Sequence, residues 1–448
     1  MNRTDKFLSS INEASDKWIP GNVIEKLKLL LLDYIGVTLA GADIQKNKIY
    51  RMLAEEDESG QWPIIGMNTN STLKNAIFYN GLNSHTLDFD DGVNQGIIHL
   101  GSPIFSALLP LANKYKANGR EVLAAAVAGY ETSFTMAMSI QPVHKKSGYH
   151  ATGTCGTLGV AMAIAKLMKF DYDQQRNAFS IAALSASGSL KVLEDKSELK
   201  PYNVAKAALM GYISAQMGRM GFEGPEDVLA GNNGFLRIMT GSEECNIHPP
   251  LLNGTYAIEK AYIKPYAACR YCHPAIEASL KLREKYGIKS EDIDTIEVKT
   301  YSLAVNKHDH TNIMGYNSAK MSIPYSIAVS YISGKAGIHE YGEEWINNKL
   351  VLELSQKVKV CEEPEFTKVF PARTIAQLKM ITKNGQEYVE TAEYPKGEPE
   401  NPLSINEVKD KFYRLSQMSG KSKSEQERIV EAVFDFERCY SEFYQLLK

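Results

Sequence analysis

The chain has 448 residues, of which 44% are hydrophobic and 23% charged, with a formal net charge of -3. That length exceeds one ordinary core and points to two or three domains. The near-neutral balance gives no basic field for nucleic acid, so an anionic substrate has to be held by a few local cations.

The most apolar early run, Leu27 to Ala42, contains Lys28 and Asp33. It is too short and too charged to span a membrane. No stretch reads as a signal peptide, so a cytoplasmic protein is expected. The six cysteines (Cys155, Cys245, Cys269, Cys272, Cys361 and Cys439) are scattered, and reduced thiols are the expectation in that compartment.

The first half reads as successive helices: Asn22 to Leu39, Glu121 to Ser139, Gly156 to Phe170, Asp173 to Ser187 and Val204 to Phe222. Ala, Leu and Met dominate them and favour helix. Gly129, Gly159, Ala183 and Gly211 would let these helices approach closely. After about residue 255 the pattern changes. Asp294 to Tyr301 alternates and reads as a strand. Gln377 to Tyr394 reads as a hairpin turning at Asn384-Gly385. Helices are predicted for Pro274 to Tyr286, Ser322 to Ser333, Ser404 to Leu415 and Ser424 to Leu446, the last opened by a Ser424/Glu427 capping box. The predicted fold is mainly α: a large all-helical domain, 1–255 with 400–448, and a smaller α+β lid domain, 256–399.

Four of the nine histidines stand among glycines, small residues or ionisable groups: His85, His99, His150 and His273. The other five, His144, His248, His308, His310 and His339, are expected to be surface imidazoles. The first block runs His85-Thr-Leu-Asp88-Phe-Asp90-Asp91-Gly92 and continues to His99. Three carboxylates this close tend to raise one pKa or to recruit a cation. They can cap helices, hold Mg²⁺ as in helical prenyl-diphosphate lyases, or orient a catalytic histidine.

The second block, Ser147 to Gly156, places His150 before a buried helix whose backbone N–H groups could receive a carboxylate. Its glycines lack the dinucleotide-binding spacing. The third runs from Lys264 through Cys269-Arg270-Tyr-Cys272-His273. Cys-x-x-Cys-His is also a haem-attachment pattern, but no second axial ligand stands out, and zinc lacks further ligands nearby. A cationic cluster of Lys264, Arg270 and His273 for carboxylates fits better. Lys200 opens a later helix as either a clamp or a solvated residue. Tyr325, taken alone, reads as core.

Taken together these blocks resemble the MmgE/PrpD family, which includes 2-methylcitrate dehydratases, cis-aconitate decarboxylases and iminodisuccinate epimerases. The resemblance runs from LLDYIGVTLAGA through NSHTLDFDDG, GYHATGTCGTLG, KPYAACRYCHPA and AKMSIPYSIA to YPKGEPENPLS. It implies a homodimer acting on a small polycarboxylate, with no metal and no organic cofactor, and with a site between helical domain and lid. It places site residues at Asp88, His99, His150 and Tyr325, with Lys200, His273 and Lys264 binding substrate. Two departures stand out: Gly92 replaces a threonine common in relatives, and the loop from Asp91 to His99 is one residue longer than in cis-aconitate decarboxylases.

The implied chemistry is proton transfer beside a carboxylate, with His99 and His150 exchanging the proton, Asp88 orienting an imidazole and Tyr325 closing the site. Decarboxylation of cis-aconitate to itaconate is the first expectation, with dehydration of 2-methylcitrate or epimerisation of iminodisuccinate as alternatives. A Mg²⁺-dependent helical lyase and a non-catalytic metabolite-binding protein are the rivals from other classes.

Overall fold

Helix-favouring residues fill the first 250 positions, and helices follow from them. A computed structural model describes residues 1–56, 60–193, 197–242, 245–251, 254–305, 307–438 and 440–448. The protein is mainly α with a smaller α+β part. It divides into a helical unit, Met1–Glu194, Leu199–Ile263 and Ser404–Lys448, and a second unit, Asp195–Glu198 and Lys264–Leu403.

In the helical unit the first long helix spans Gly21–Glu56, well beyond the predicted Leu39. Gly41 does not end it, and a Cβ there would stand 2.0 Å from the Asn83 carbonyl oxygen, so this glycine serves close packing. The helices Gly119–Ile140, Ala151–Leu167 and Lys200–Arg219 pack side by side. Their glycines set the spacing. A Cβ on Gly159 would stand 2.6 Å from the Gly129 carbonyl, and one on Gly211 2.6 Å from Val160. The Ala151–Leu167 helix begins five residues earlier than predicted. Weak glycine propensity at 153 and 156 is overridden by packing, with Gly153 lying against Ser187 and Gly188.

The second unit carries a four-stranded sheet in the order 358–362, 293–300, 376–382, 387–392, with only the first pair parallel. The helix His273–Tyr286 packs against the two antiparallel strands 376–382 and 387–392, and against the helix Ile323–Ser333. In the hairpin only Gly385 takes positive φ, at 81°. The Gly385 N–H bonds to the Thr382 carbonyl and the Thr382 N–H to the Gln386 carbonyl. A three-residue loop therefore replaces the expected two-residue turn.

The tail returns to the helical unit. Its helix Ile405–Met418, capped by Ser404 with Glu407, packs on Gly21–Glu56. The remainder forms two helices, Lys423–Phe434 and Tyr440–Leu446, rather than one. Their capping box is Ser422 with Glu425, not Ser424 with Glu427, because Ser422 is the last extended residue before the helix (ψ 155°). The five described cysteines stand outside any disulfide, and Cys439 lies outside the described residues. Among the described residues no helix is long and apolar enough to cross a membrane.

Candidate active site

His85 ends the helix Leu73–His85, and the chain then reverses sharply. Asp88 takes φ 51°, the left-handed region that side-chain-bearing residues seldom occupy. Its N–H bonds to the His85 carbonyl at 3.0 Å. Lys411 pins the next residue: its ammonium donates to the Phe89 carbonyl at 2.8 Å and pairs with buried Asp33 at 2.6 Å. From Gly92 the chain forms a small hairpin in which Val93 and Ile98 exchange backbone hydrogen bonds of 2.9 and 3.3 Å. The hairpin brings His99 back to the carboxylates, where Thr152 Oγ1 accepts the His99 backbone N–H at 3.1 Å. His150 caps the helix that holds Thr152.

The hydrogen-bond partners fix where the imidazole protons sit, since a carboxylate or carbonyl oxygen only accepts. Both Asp90 oxygens accept from His85 Nδ1, at 2.8 and 2.9 Å, and Asp90 Oδ2 also accepts the Ser102 hydroxyl at 2.7 Å. His99 Nδ1 lies 2.8 Å from the Asp91 carbonyl and 3.4 Å from Asp90 Oδ1. His85 and His99 thus carry their protons on Nδ1.

His150 is the opposite case. The Asn203 amide nitrogen donates to the Ser189 carbonyl at 3.2 Å and faces His150 Nδ1 at 3.2 Å. His150 Nδ1 must accept, and its proton sits on Nε2. The rings of His85 and His99 meet edge to face with centroids 4.6 Å apart, and His150 lies 6.2 Å from His85.

Burial dominates the charges. It pushes the His85 imidazole down to about 4 despite the Asp90 charge. Burial, with the Lys200 ammonium second, holds His150 well below the ordinary range, so that ring is neutral. Burial alone would raise Asp90, but the His85 and His99 imidazoles and their hydrogen bonds reverse this and hold it well below the usual carboxylate range. Burial and then the Asp90 charge push Asp91 up to about 8, with its oxygens accepting from the Gly101 N–H and the Tyr130 hydroxyl. Lys200, the first residue of the helix Lys200–Arg219, forms an ion pair with Asp88.

Four of these residues, His85, Asp88, Asp90 and His99, can each bring one ligand atom within 4.8 Å of the others. The two carboxylates are already engaged: Asp88 carries the Lys200 ammonium, and Asp90 carries His85 and Ser102. A Mg²⁺ site built on the three aspartates would have to break all of these.

The helical unit therefore gathers Asp88, His99, His150 and Lys200. Asp88 Oδ1 lies 3.8 Å from His99 Nε2, and the carboxylate that hydrogen-bonds His85 Nδ1 is Asp90. The Gly156 helix start expected to receive an anion lies inside the helix, so only the Ala151–Thr152 end of it remains for that purpose. Asp90, Ser102, Asn203 and Tyr130 were not singled out from the sequence. The five-residue step from His85 to Asp90 was the only signal for that pair.

Lys264, His273 and Tyr325 belong to the second unit, and all three are buried. Arg270 pairs with Glu398 and donates to His273 Nδ1 at 2.8 Å, while His273 Nε2 lies 3.2 Å from the Ala268 carbonyl. An arginine only donates. His273 is therefore neutral with its proton on Nε2, and the expected cationic cluster is tempered by Glu398. With both ring nitrogens engaged, His273 offers no axial ligand to a haem. The Tyr325 hydroxyl donates to the Glu340 carbonyl at 2.8 Å.

Two histidines expected at the surface are buried instead. His144 bonds to Thr154 and stacks on Tyr149, and His308 bonds to the Met321 carbonyl. His248 and His339 are exposed, and His310 is half-buried.

A helical unit holding buried, oppositely protonated histidines beside an aspartate–lysine pair, with an α+β unit after it, defines the class. The MmgE/PrpD N-terminal domain matches residues 8–248 and the MmgE/PrpD C-terminal domain residues 266–435, so the chain belongs to the MmgE/PrpD family. It is similar to "Cis-aconitate decarboxylase-like protein oryM" of Aspergillus oryzae, 24% identical over 93% of this chain and 90% of that one. It is also similar to the cis-aconitate decarboxylases of Aspergillus terreus (24%, covering 90% and 87%) and Homo sapiens (23%, covering 91% and 86%).

Proposed function

We propose that this protein is a lyase that decarboxylates cis-aconitate to itaconate, working as a cytoplasmic homodimer and drawing on no metal or organic cofactor. The observation that carries the reading is the division of proton positions between His99 and His150, beside the Lys200–Asp88 pair. The names of the relatives favour the substrate.

As CO₂ leaves from the methylene-bound carboxylate, the electron pair of the broken C–C bond forms the new terminal double bond. The old double bond opens, and its carboxylate-bearing CH carbon takes one proton. His99 is the carrier. A second proton on its Nε2 leaves both of its existing Nδ1 contacts in place, and the Asp88 and Asp90 carboxylates flank the ring. His150 cannot take a second proton without facing the Asn203 amide proton with one of its own. It serves as a neutral hydrogen-bond donor from Nε2 to the carboxylate on which charge develops. Lys200 anchors a substrate carboxylate, held ready by Asp88. Lys264, His273 and Tyr325 are assigned to substrate binding on the family resemblance.

Dehydration of 2-methylcitrate or epimerisation of an iminodisuccinate-type substrate is the second reading. The unprotonated Nε2 atoms of His85 and His99 favour it, because both reactions need a base. Incubating the protein with cis-aconitate, 2-methylcitrate, citrate and iminodisuccinate, with NMR detection, separates the two. Itaconate from cis-aconitate supports the proposal. Turnover of another member with none of cis-aconitate overturns it, and loss of activity in chelator would favour the Mg²⁺ lyase. Binding without turnover of any member would favour a metabolite-binding protein.

A further inference from the structure

We infer that Asp90 is the positioning residue of this site: it fixes the protons of two histidines at once and so leaves unprotonated Nε2 atoms on both. The inference deepens the function proposed above and rests on it only for its activity arm.

Three donors converge on the Asp90 carboxylate, which is 1% exposed: His85 Nδ1–H to both oxygens, the Ser102 hydroxyl, and at 3.4 Å His99 Nδ1–H. A buried carboxylate has no water to accept from, and each of its lone pairs needs a donor. It therefore draws both imidazole protons onto their Nδ1 atoms. The Asp91 carbonyl does the same for His99 alone, and among the described residues the acceptor that does it for His85 is Asp90. His85 Nε2 then has no hydrogen-bond partner among the described residues although its side chain is fully buried. An orphaned buried acceptor is unfavourable in a resting fold. Here it stands in a ring whose centroid is 4.6 Å from that of His99, inside the cluster of site imidazoles. Asn203 sets the opposite proton on His150. Asp90 and Asn203 together divide the three imidazoles into two acceptors and one donor.

The full-length protein labelled with ¹⁵N-histidine tests this without substrate. The His85, His99 and His150 resonances are assigned by their loss in His85→Gln, His99→Gln and His150→Gln. The wild type is expected to show Nδ1–H with an unprotonated Nε2 for His85 and His99, and the reverse for His150. An Nε2–H on neutral His85 or His99 overturns the inference.

In Asp90→Asn one amide oxygen replaces two carboxylate oxygens, so at least one of the two histidines is expected to move its proton to Nε2. With cis-aconitate, kcat is then expected to fall about 10²–10⁴-fold with KM little changed. Unmoved protons with full activity in that variant overturn the inference. If Asp90→Asn does not fold, Asp90→Glu keeps the charge. It is expected to keep both protons on Nδ1, and a shift there counts against the inference. Correct tautomers in a protein inert to cis-aconitate remove only the decarboxylase reading. Turnover of cis-aconitate with the wrong tautomers removes only the role of Asp90.

Discussion

The amide nitrogen of Asn203 lies 3.2 Å from Nδ1 of His150 and faces it as a donor, so the His150 proton is held on Nε2. Asn203 also donates to the Ser189 carbonyl, which fixes the amide the right way round. His150 is thereby a neutral hydrogen-bond donor, and His99 alone carries the proton to carbon. His150→Gln, which keeps an N–H donor, is expected to retain part of the turnover. His99→Gln is expected to lose about 10²–10⁴-fold in kcat, the usual contribution of a general acid. Asn203→Asp would let His150 take a proton on Nδ1 and is expected to add a titration to the pH–rate profile. Equal losses in the two glutamine variants would remove the division of roles. The check is steady-state kinetics across pH.

The Lys200 ammonium pairs with Asp88, and its charge acts on His150. Lys200→Met is expected to lower kcat/KM about 10- to 100-fold, the worth of roughly 1.5–3 kcal/mol for a hydrogen bond to a charged group. Lys200→Arg, which keeps the charge, is expected to recover part of this. Kinetics of both variants with a tricarboxylate and with a dicarboxylate measure how much of the loss is recognition. Unchanged kcat/KM in Lys200→Met would remove the lysine from the site.

Gly92 sits where a side chain has no room. A Cβ there would stand 2.4 Å from the Tyr262 hydroxyl oxygen and 2.8 Å from the Ile98 carbonyl oxygen. The Tyr262 backbone N–H also bonds to the Gly92 carbonyl at 2.9 Å. Gly92→Ala is expected to destabilise the protein by about 1–3 kcal/mol through overpacking. Adding Tyr262→Ala should remove the hydroxyl clash and recover part of the loss. Thermal melts of the single and double variants measure the coupling, and strict additivity would contradict the contact.

Glu131 gives a pH dependence of stability. Burial pushes its carboxyl up to about 7 from the ordinary 4.5, although the Ala257 and Leu251 N–H groups bond to it at 2.6 and 3.2 Å. A carboxyl raised on folding binds its proton more tightly in the native state, so its stabilising contribution is whole below about 4.5 and is lost as pH rises through about 7. The loss is of the order of 3 kcal/mol. Glu131→Gln removes this slope. Its melting temperature relative to the wild type is expected to rise between acidic and mildly alkaline pH, and a constant difference would contradict the assignment.

Much of this was legible in the sequence. Period and composition located helices such as Gly119–Ile140 and His273–Tyr286 to within a few residues and the hairpin strands closely, because those signals are local, but they did not mark the helices Arg3–Asp16, Leu73–His85 and Gly101–Tyr115. The histidines His99 and His150 stood out from their local blocks, while Asp88 was singled out from its neighbouring aspartates only by the family resemblance. What local signals missed depends on packing. Asn203 lies 53 residues from His150, and nothing in its own helix marks it. Asp90 was hidden by its neighbours: three aspartates within four residues look alike, and only the turn at Asp88 decides which one meets the imidazoles. The surroundings of His273 depend on Glu398, beyond the sheet in sequence and paired with Arg270.

The most direct measurement is NMR of cis-aconitate incubated with the pure protein in heavy water. The account expects itaconate and carbon dioxide in equal amounts, with one deuterium in the methylene group beside the carboxylate and both products lost in His99→Gln. Unchanged cis-aconitate under conditions where 2-methylcitrate or iminodisuccinate is turned over would contradict it.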